Sequence, residues 1–322
     1  MSDLATNPNL PLAGGRYFLS DGGIETTLIF HDGIDLPLFA SFVLLETENG
    51  RRALTKYYER HIAVARAHRL GFILESPTWR SNRDWGQKLG YSSDDLDRIN
   101  AEAIYLMRTL RNRHADTVAP LVISGCVGPR GDGYVPGELM TATQARNYHA
   151  PQIAAMSSAG ADMVTAITMN NTPEAKGIAL AAKSQAVPVV IAFTVETDGA
   201  LATGQTLADA IREVDDATGA YPVYYMVNCA HPDHFDHVLR DGGDWLSRIG
   251  GVRANASRMS HAELDESEVL DDGNPAELGK DYRRLMELLP NLRVMGGCCG
   301  TDHRHVDAMG RACKHAHPVA AQ

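Results

Sequence analysis

Along most of the chain, short apolar runs alternate with longer stretches in which apolar residues recur every three or four positions. The short runs predict strands over residues 17–20, 72–75, 119–124, 163–168, 187–194, 223–228, 249–255 and 292–295. The longer stretches predict helices over 52–68, 94–114, 142–159, 173–184, 207–218, 234–239, 275–289 and 303–315. In the first of these, Leu54, Tyr57, Tyr58, His61, Ile62 and Ala65 share one face. Start signals sit where they are needed. Ser92 to Asp95 precede the second helix, Thr141 and Thr143 with Gln144 the third, and Thr172-Pro173-Glu174 opens the fourth with proline at its first position.

Eight strands alternating with eight helices call for a parallel sheet, because parallel neighbours need crossover connections. An open dinucleotide-binding sheet would carry G-x-G-x-x-G after its first strand, and Asp21-Gly22-Gly23 stands there instead. The expected fold is therefore one (β/α)8 TIM barrel over residues 16–316, with an extended loop after the first strand. Residues 1–15 read as an N-terminal extension and 317–322 as a C-terminal tail.

Composition narrows the function. The 322 residues are 44% hydrophobic and 22% charged, with a net charge of −10, so a phosphate backbone would be repelled rather than drawn in. No stretch approaches the ~20 apolar residues of a membrane span. The first ten residues show neither a basic segment nor an apolar one, so a cytoplasmic protein is expected. The cysteines are Cys126, Cys229, Cys298, Cys299 and Cys313, an odd number without a regular framework. In a reducing compartment they are expected to be thiols.

In such a barrel the chemistry gathers at the C-terminal ends of the strands. Asp21, Glu75, the turn from Gly125 to Pro129, Asn228-Cys229 and the run Gly297-Cys298-Cys299-Gly300 all fall there. Cys229 and the Cys298-Cys299 pair end strands two positions apart, ~10 Å at about 4.8 Å per strand. Zinc, with Zn–S bonds of ~2.3 Å, bridges that span through three side-chain arms. Adjacent residues ligate one ion only where the backbone turns sharply, which Gly296, Gly297 and Gly300 permit. Three thiolates and an open fourth position make a reactive zinc site. The plainer alternative is an inert cysteine pair beside a glycine turn. Cys126 and Cys313 read as packing residues.

Asp21-Gly22-Gly23, the run from Gly125 to Asp132, Asn228-Cys229 and the run from Gly296 to Thr301 occur in this order across nearly the whole chain. In these elements the sequence resembles the homocysteine S-methyltransferase family. The resemblance implies a zinc-bearing barrel that methylates a thiol, usually homocysteine to methionine. Family donors include S-methylmethionine, S-adenosylmethionine, betaine and methylfolate. It further implies zinc on Cys229, Cys298 and Cys299, and a homocysteine-binding role for Asp21. The substrate pocket is expected to use Asp21, Gly22, Gly23, Glu75, Thr78, Trp79, Gly128, Asn170, Glu196 and Asn228. A free thiol has a pKa of about 8.5, so zinc's part is to supply the thiolate.

Two positions depart from the family. Ile167 stands where betaine-using members carry a glutamate for the homocysteine amino group. Homocysteine is thus expected to be a weak acceptor unless Asn170, Asn171 or Glu196 supplies the partner. Trp79 stands near a tyrosine that ligates zinc in some members, and an indole cannot do so. Trp79 and Trp85 either wall a cationic methyl donor by cation–π contact or pack the loop.

The remaining motifs read as structural. His231, His234 and His237 are expected to point outward, and His303 and His305 to start the last helix or to support the zinc ligands from behind. Asp265, Glu266, Asp271 and Asp272 read as solvated surface away from the strand ends. The chain ends soon after its eighth unit, which favours a small diffusible donor over a folate or cobalamin domain. Two other readings compete. A metal-dependent hydrolase on the same barrel would want carboxylate or histidine ligands, and a first-strand His-x-His is missing. A zinc-thiolate binding protein without turnover is consistent with Ile167.

Overall fold

The structure, a computed structural model, describes residues 10–12, 15–267 and 269–316. The eight strands are β1 (Phe18–Leu19), β2 (Gly71–Glu75), β3 (Leu121–Val127), β4 (Met163–Met169), β5 (Val189–Phe193), β6 (Tyr224–Asn228), β7 (Ile249–Ala254) and β8 (Val294–Gly297). Each pairs in parallel with its sequence neighbours, and β1 also pairs with β8, so the sheet closes. The barrel helices are α1 (Glu48–His68), α2 (Ser93–His114), α3 (Ala142–Ser158), α4 (Thr172–Ser184), α5 (Leu207–Thr218), α6 (Asp236–Arg240), α7 (Pro275–Leu288) and α8 (His303–Ala316). This is the expected (β/α)8 barrel. Among the described residues no helix is long and apolar enough to cross a membrane.

The local signals act as the sequence implies, with small shifts. Ser92 and Thr141 form capping boxes with Asp95 and Gln144. Helix α4 begins one step earlier than expected, because the Asn171 side chain accepts the Glu174 N–H and takes the cap. Strand β3 starts at Leu121, since Pro120 has no N–H for the ladder, and it runs on through Cys126 to Val127. Strand β8 likewise extends to Gly297, where 292–295 was expected. The expected helix at 234–239 is split into a 3-10 turn (Pro232–His234) and the short α6. The extended loop after β1 is a chain of short helical turns, Ile24–Thr26, Thr27–His31, Pro37–Phe39 and Ser41–Glu46.

Inside the barrel the side chains change character with height. The floor is apolar: Phe18, Ile73, Val122, Met163, Val190, Met226 and Val294 cluster there, and Leu10 of the N-terminal segment is buried among them. Above it, on β7, sits Arg253, buried and charged. Its guanidinium meets Asp21 at 2.7 Å and Glu75 at 3.2 Å, and its Nε donates to the Gly297 carbonyl at 3.1 Å. One side chain thus ties β7 to the ends of β1, β2 and β8. Burial pulls the Arg253 pKa down, but the two carboxylates outweigh it and leave it raised. Burial pushes the Glu75 carboxyl up, against the pull of Arg253.

Removing the cation would strand two buried carboxylates. Arg253→Met is expected to destabilise the protein by about 3–5 kcal/mol at neutral pH, with a smaller loss in acid where the carboxyls protonate. Urea unfolding of variant and wild type at both pH values checks this; an unchanged midpoint would contradict it.

Candidate active site

Strands β6 and β8 end with their cysteines together. The sulfurs of Cys229, Cys298 and Cys299 all lie within 4.8 Å of one another. Cys229 is buried, Cys298 half-buried and Cys299 exposed, so the cluster opens toward solvent on one side. Cys229 and Cys298 are joined as a disulfide, with Cα atoms 5.2 Å apart. This corrects the expectation of five thiols. The barrel brings two β-strand ends to the Cα spacing a disulfide needs, whatever their separation in sequence. Cys126 and Cys313 are buried elsewhere, and burial raises both thiols.

The backbone around the cluster is unusual. Cys229 has φ +52° and Thr168, at the end of β4, has φ +62°. For a β-branched residue this is a strained conformation, costing about 1–3 kcal/mol. Asn228 holds it in place. Its Oδ1 accepts the Thr168 N–H at 2.9 Å, its Nδ2 donates to Thr168 Oγ1 at 3.1 Å, and the same nitrogen lies 4.0 Å from Cys298 Sγ. Asn228, expected at the site, is thus a clasp between two strand ends.

Asp21 is equally committed. Its Oδ1 takes Arg253 and its Oδ2 takes the Tyr57 hydroxyl at 3.0 Å, which also reaches the Gly22 carbonyl. Burial first, then the Asp21 charge, hold Tyr57 well above its usual pKa, so it remains a donor. The Gly22 N–H donates to His61 Nε2 at 3.2 Å, and the His61 Nδ1–H donates to the Tyr57 carbonyl. Gly23 lies against Cys298, where a Cβ would sit 2.6 Å from the Cys298 carbonyl oxygen. Gly128 is just as tightly covered by Trp79. Gly23 lets the first loop reach the cysteine turn, and Gly128 lets the loop after β3 pack closely on the loop after β2.

Other expected site residues are placed differently. Glu75 is buried inside the barrel on Arg253, below the rim. The Thr78 hydroxyl is spent on the Cys126 carbonyl and Ser76. Asn170 binds the Asp132 carbonyl and accepts from Asn171, so neither amide stands free for a ligand. Glu196 is held at 3.2 Å by His261, whose Nε2 lies 2.6 Å from the Cys229 carbonyl. Ile167 packs on the apolar interior. The tryptophan faces already carry cations: Arg80 lies 3.6 Å from the Trp85 centroid and 4.5 Å from that of Trp79, and Lys88 lies 4.0 Å from Trp85. The chain's own cations thus already use these ring faces.

Several groups at the site escaped the sequence reading. Arg253 was signalled, as a charge inside an otherwise apolar strand. Tyr134, in the loop after β3, places its hydroxyl 3.6 Å from Cys299 Sγ and its ring lies tilted against His261, centroids 4.3 Å apart. Nothing local marks it. Asp271 and Asp272 are not simply solvated: the Asp271 carbonyl packs on Gly300, and Asp272 binds Arg304 and, through its carbonyl, His305. His231 is buried, not outward, with Asp233 and Asp281 beside it.

His61 ties the Asp21-Gly22 turn to pH. Burial pushes its imidazole down from the ordinary 6.5 to about 4, although Asp21 pulls the other way. Between those values the unfolded chain takes a proton that the folded one refuses, so this contribution to stability falls as pH drops from 6.5 toward 4. Compared with His61→Gln, the wild type is expected to lose about 2 kcal/mol more between pH 7.5 and pH 5. Urea unfolding at the two pH values measures it, and equal losses would refute the assignment.

Comparison with known proteins agrees with the fold. Three crystal structures of the homocysteine methyltransferase MmuM from Escherichia coli share the fold. The metallated form superposes with TM-score 0.69 at 18% identity, covering 93% of this chain and 97% of that one. The oxidized form gives 0.72 at 18%, covering 95% and 99%, and the apo form 0.65 at 20%, covering 95% and 100%. The family model described as homocysteine S-methyltransferase matches residues 18–313. The chain therefore belongs to the homocysteine S-methyltransferase family and is a methyltransferase.

Proposed function

We propose that the protein is a zinc-dependent S-methyltransferase that moves a methyl group from a small sulfonium or ammonium donor to the thiol of homocysteine. The observation that carries this reading is the convergence of three cysteine sulfurs within 4.8 Å at the open end of the barrel. Tetrahedral Zn–S bonds of ~2.3 Å would set sulfurs about 3.8 Å apart, so the cluster needs little rearrangement once reduced. The all-sulfur donor set speaks for thiol chemistry over hydrolysis. As a disulfide, Cys229 and Cys298 offer no thiolate, so the metal-holding form is the reduced one.

Zinc held by Cys229, Cys298 and Cys299 would keep an acceptor thiol deprotonated at neutral pH. The rest of the reaction asks for alignment. The acceptor sulfur forms its bond to the methyl carbon as the bond to the donor's sulfur or nitrogen breaks, and the leaving group departs neutral. No proton moves in that step, so the chain's task is to orient two reactants and exclude water. Asp21, fixed by Arg253 and Tyr57, orients the acceptor and does not act as a base. Tyr134 and His261 close the side of the cluster.

The test is turnover of reduced, zinc-loaded protein with homocysteine and a donor panel of S-methylmethionine, S-adenosylmethionine and betaine. Methionine formation is expected, with about one zinc per chain. Cys298→Ser and Cys299→Ser should each lose metal and lower turnover at least about a hundredfold. Full zinc retention in both variants would overturn the ligand set. Tight zinc without turnover for any donor would leave a metal-thiolate binding protein.

Asp21→Asn separates orientation from metal binding. It is expected to raise KM or lower kcat/KM about tenfold or more while zinc stays bound. Loss of zinc with unaltered substrate handling would contradict the role.

A further inference from the structure

The rim beside the thiol cluster carries two charges of opposite sign, Arg80 and Glu25, that form no ion pair among the described residues, with Asp132 and Glu25 within electrostatic reach of Arg80. Arg80, in the loop after β2, makes no hydrogen bond or ion pair among the described residues. Its guanidinium lies between the Trp79 and Trp85 rings, and its buried Nε has no partner. A guanidinium held between two indoles keeps its position but gains no anion, so its N–H edge is left to bind one. Glu25, in the loop after β1, has no cation within ion-pair distance among the described residues. Its Oε1 accepts the Ser41 hydroxyl at 2.8 Å, and that hydroxyl also lies 3.4 Å from the Pro77 carbonyl, three residues before Arg80. The two loops therefore meet at Ser41.

Both groups lie near the cysteine turn: Thr26, next to Glu25, accepts the Gly300 N–H at 3.3 Å, and Arg80 lies on the Trp79 ring. Glu25 lies within electrostatic reach of Cys299 and Asp21, and Arg80 of Asp132, Glu25 and Tyr134, the last with its hydroxyl 3.6 Å from Cys299. The Trp79 ring under Arg80 also lies against Gly133 and close to Thr168, which borders Cys229. The other rim carboxylates have partners: Asp21 on Arg253 and Tyr57, Glu196 on His261, and Asp132 on the Tyr134 and Val135 N–H groups. Ile167 brings no charge.

We infer that Glu25 and Arg80 form a clamp for a zwitterion, Glu25 receiving the α-ammonium and Arg80 the α-carboxylate of an amino-acid acceptor whose sulfur lies at the cysteine cluster. The inference rests on the proposed thiol methyl transfer and names how its acceptor is recognised. It also reverses the expectation drawn from Ile167. The missing carboxylate is supplied from the first loop, and homocysteine becomes a good acceptor.

The clamp is tested on thioethers, which carry the same backbone groups without a reactive thiol. Metal-free, reduced protein is titrated with methionine, with 4-(methylthio)butyrate, which lacks the ammonium, and with 3-(methylthio)propylamine, which lacks the carboxylate. Tryptophan fluorescence reports binding, since Trp79 and Trp85 flank Arg80. Arg80→Gln is expected to weaken methionine and the butyrate about tenfold or more and to leave the amine unchanged. Glu25→Gln should weaken methionine and the amine and spare the butyrate. Wild-type affinities for all three ligands in both variants would overturn the clamp, as would an equal loss for all three, which marks a collapsed loop. Homocysteine turnover of the same variants distinguishes the two readings. If wild type methylates homocysteine but the variants show no such pattern, only the clamp fails; if it methylates no thiol, the proposed function fails and the clamp with it.

Discussion

The buried guanidinium of Arg253 is the constraint on which the upper barrel depends. A cation in a barrel interior is tolerable only if its hydrogen-bonding edges are met, and here Asp21, Glu75 and the Gly297 carbonyl meet them. The acids in turn tolerate burial only because of the cation. Each of the three fixes a different strand end, so the geometry of the first loop, the cysteine turn and the cross-barrel contact is settled together. An apolar residue at 253 would leave a barrel that could still close at its floor, where Phe18, Ile73 and Val294 pack. It would lack the device that aims Asp21.

A second layer of the site works by committing polar groups rather than leaving them open. Tyr57 spends its hydroxyl on Asp21 and Gly22, and Thr78 its own on Cys126. His261 is spent between Cys229 and Glu196. Preorganisation of this kind suits a reaction whose barrier is lowered by alignment, because little is left to reorganise when two reactants arrive. Among the described residues, Arg80 and Glu25 stand out against these committed groups, a cation and an anion that form no ion pair.

The barrel was legible in the sequence because its signal is repetition. Eight apolar runs and eight helical periods are hard to arrange otherwise, and errors at Pro120 or Asn171 moved ends by a few residues without changing the order of elements. The cysteines were legible because adjacent glycines and matching strand ends mark them. The environment of the cysteines was not. Tyr134 lies 165 residues from Cys299 in the chain, and Arg80 differs in no local way from any other loop arginine. Trp79 and Trp85 looked like open aromatic faces because the sequence cannot say that Arg80 lies between them.

Asn228 carries a consequence for how this rim responds to change. Its one amide touches the strained backbone of Thr168, the Thr168 hydroxyl and the neighbourhood of Cys298, on strands that are not adjacent in the sheet. Strain at Thr168 is therefore balanced by a side chain that also packs on a sulfur. Energies at these positions cannot be assigned one residue at a time. Double-mutant cycles between Asn228 and Thr168 would show coupling rather than sums. The open end of this barrel behaves as one coupled ring, and drift at one strand end must be answered at another.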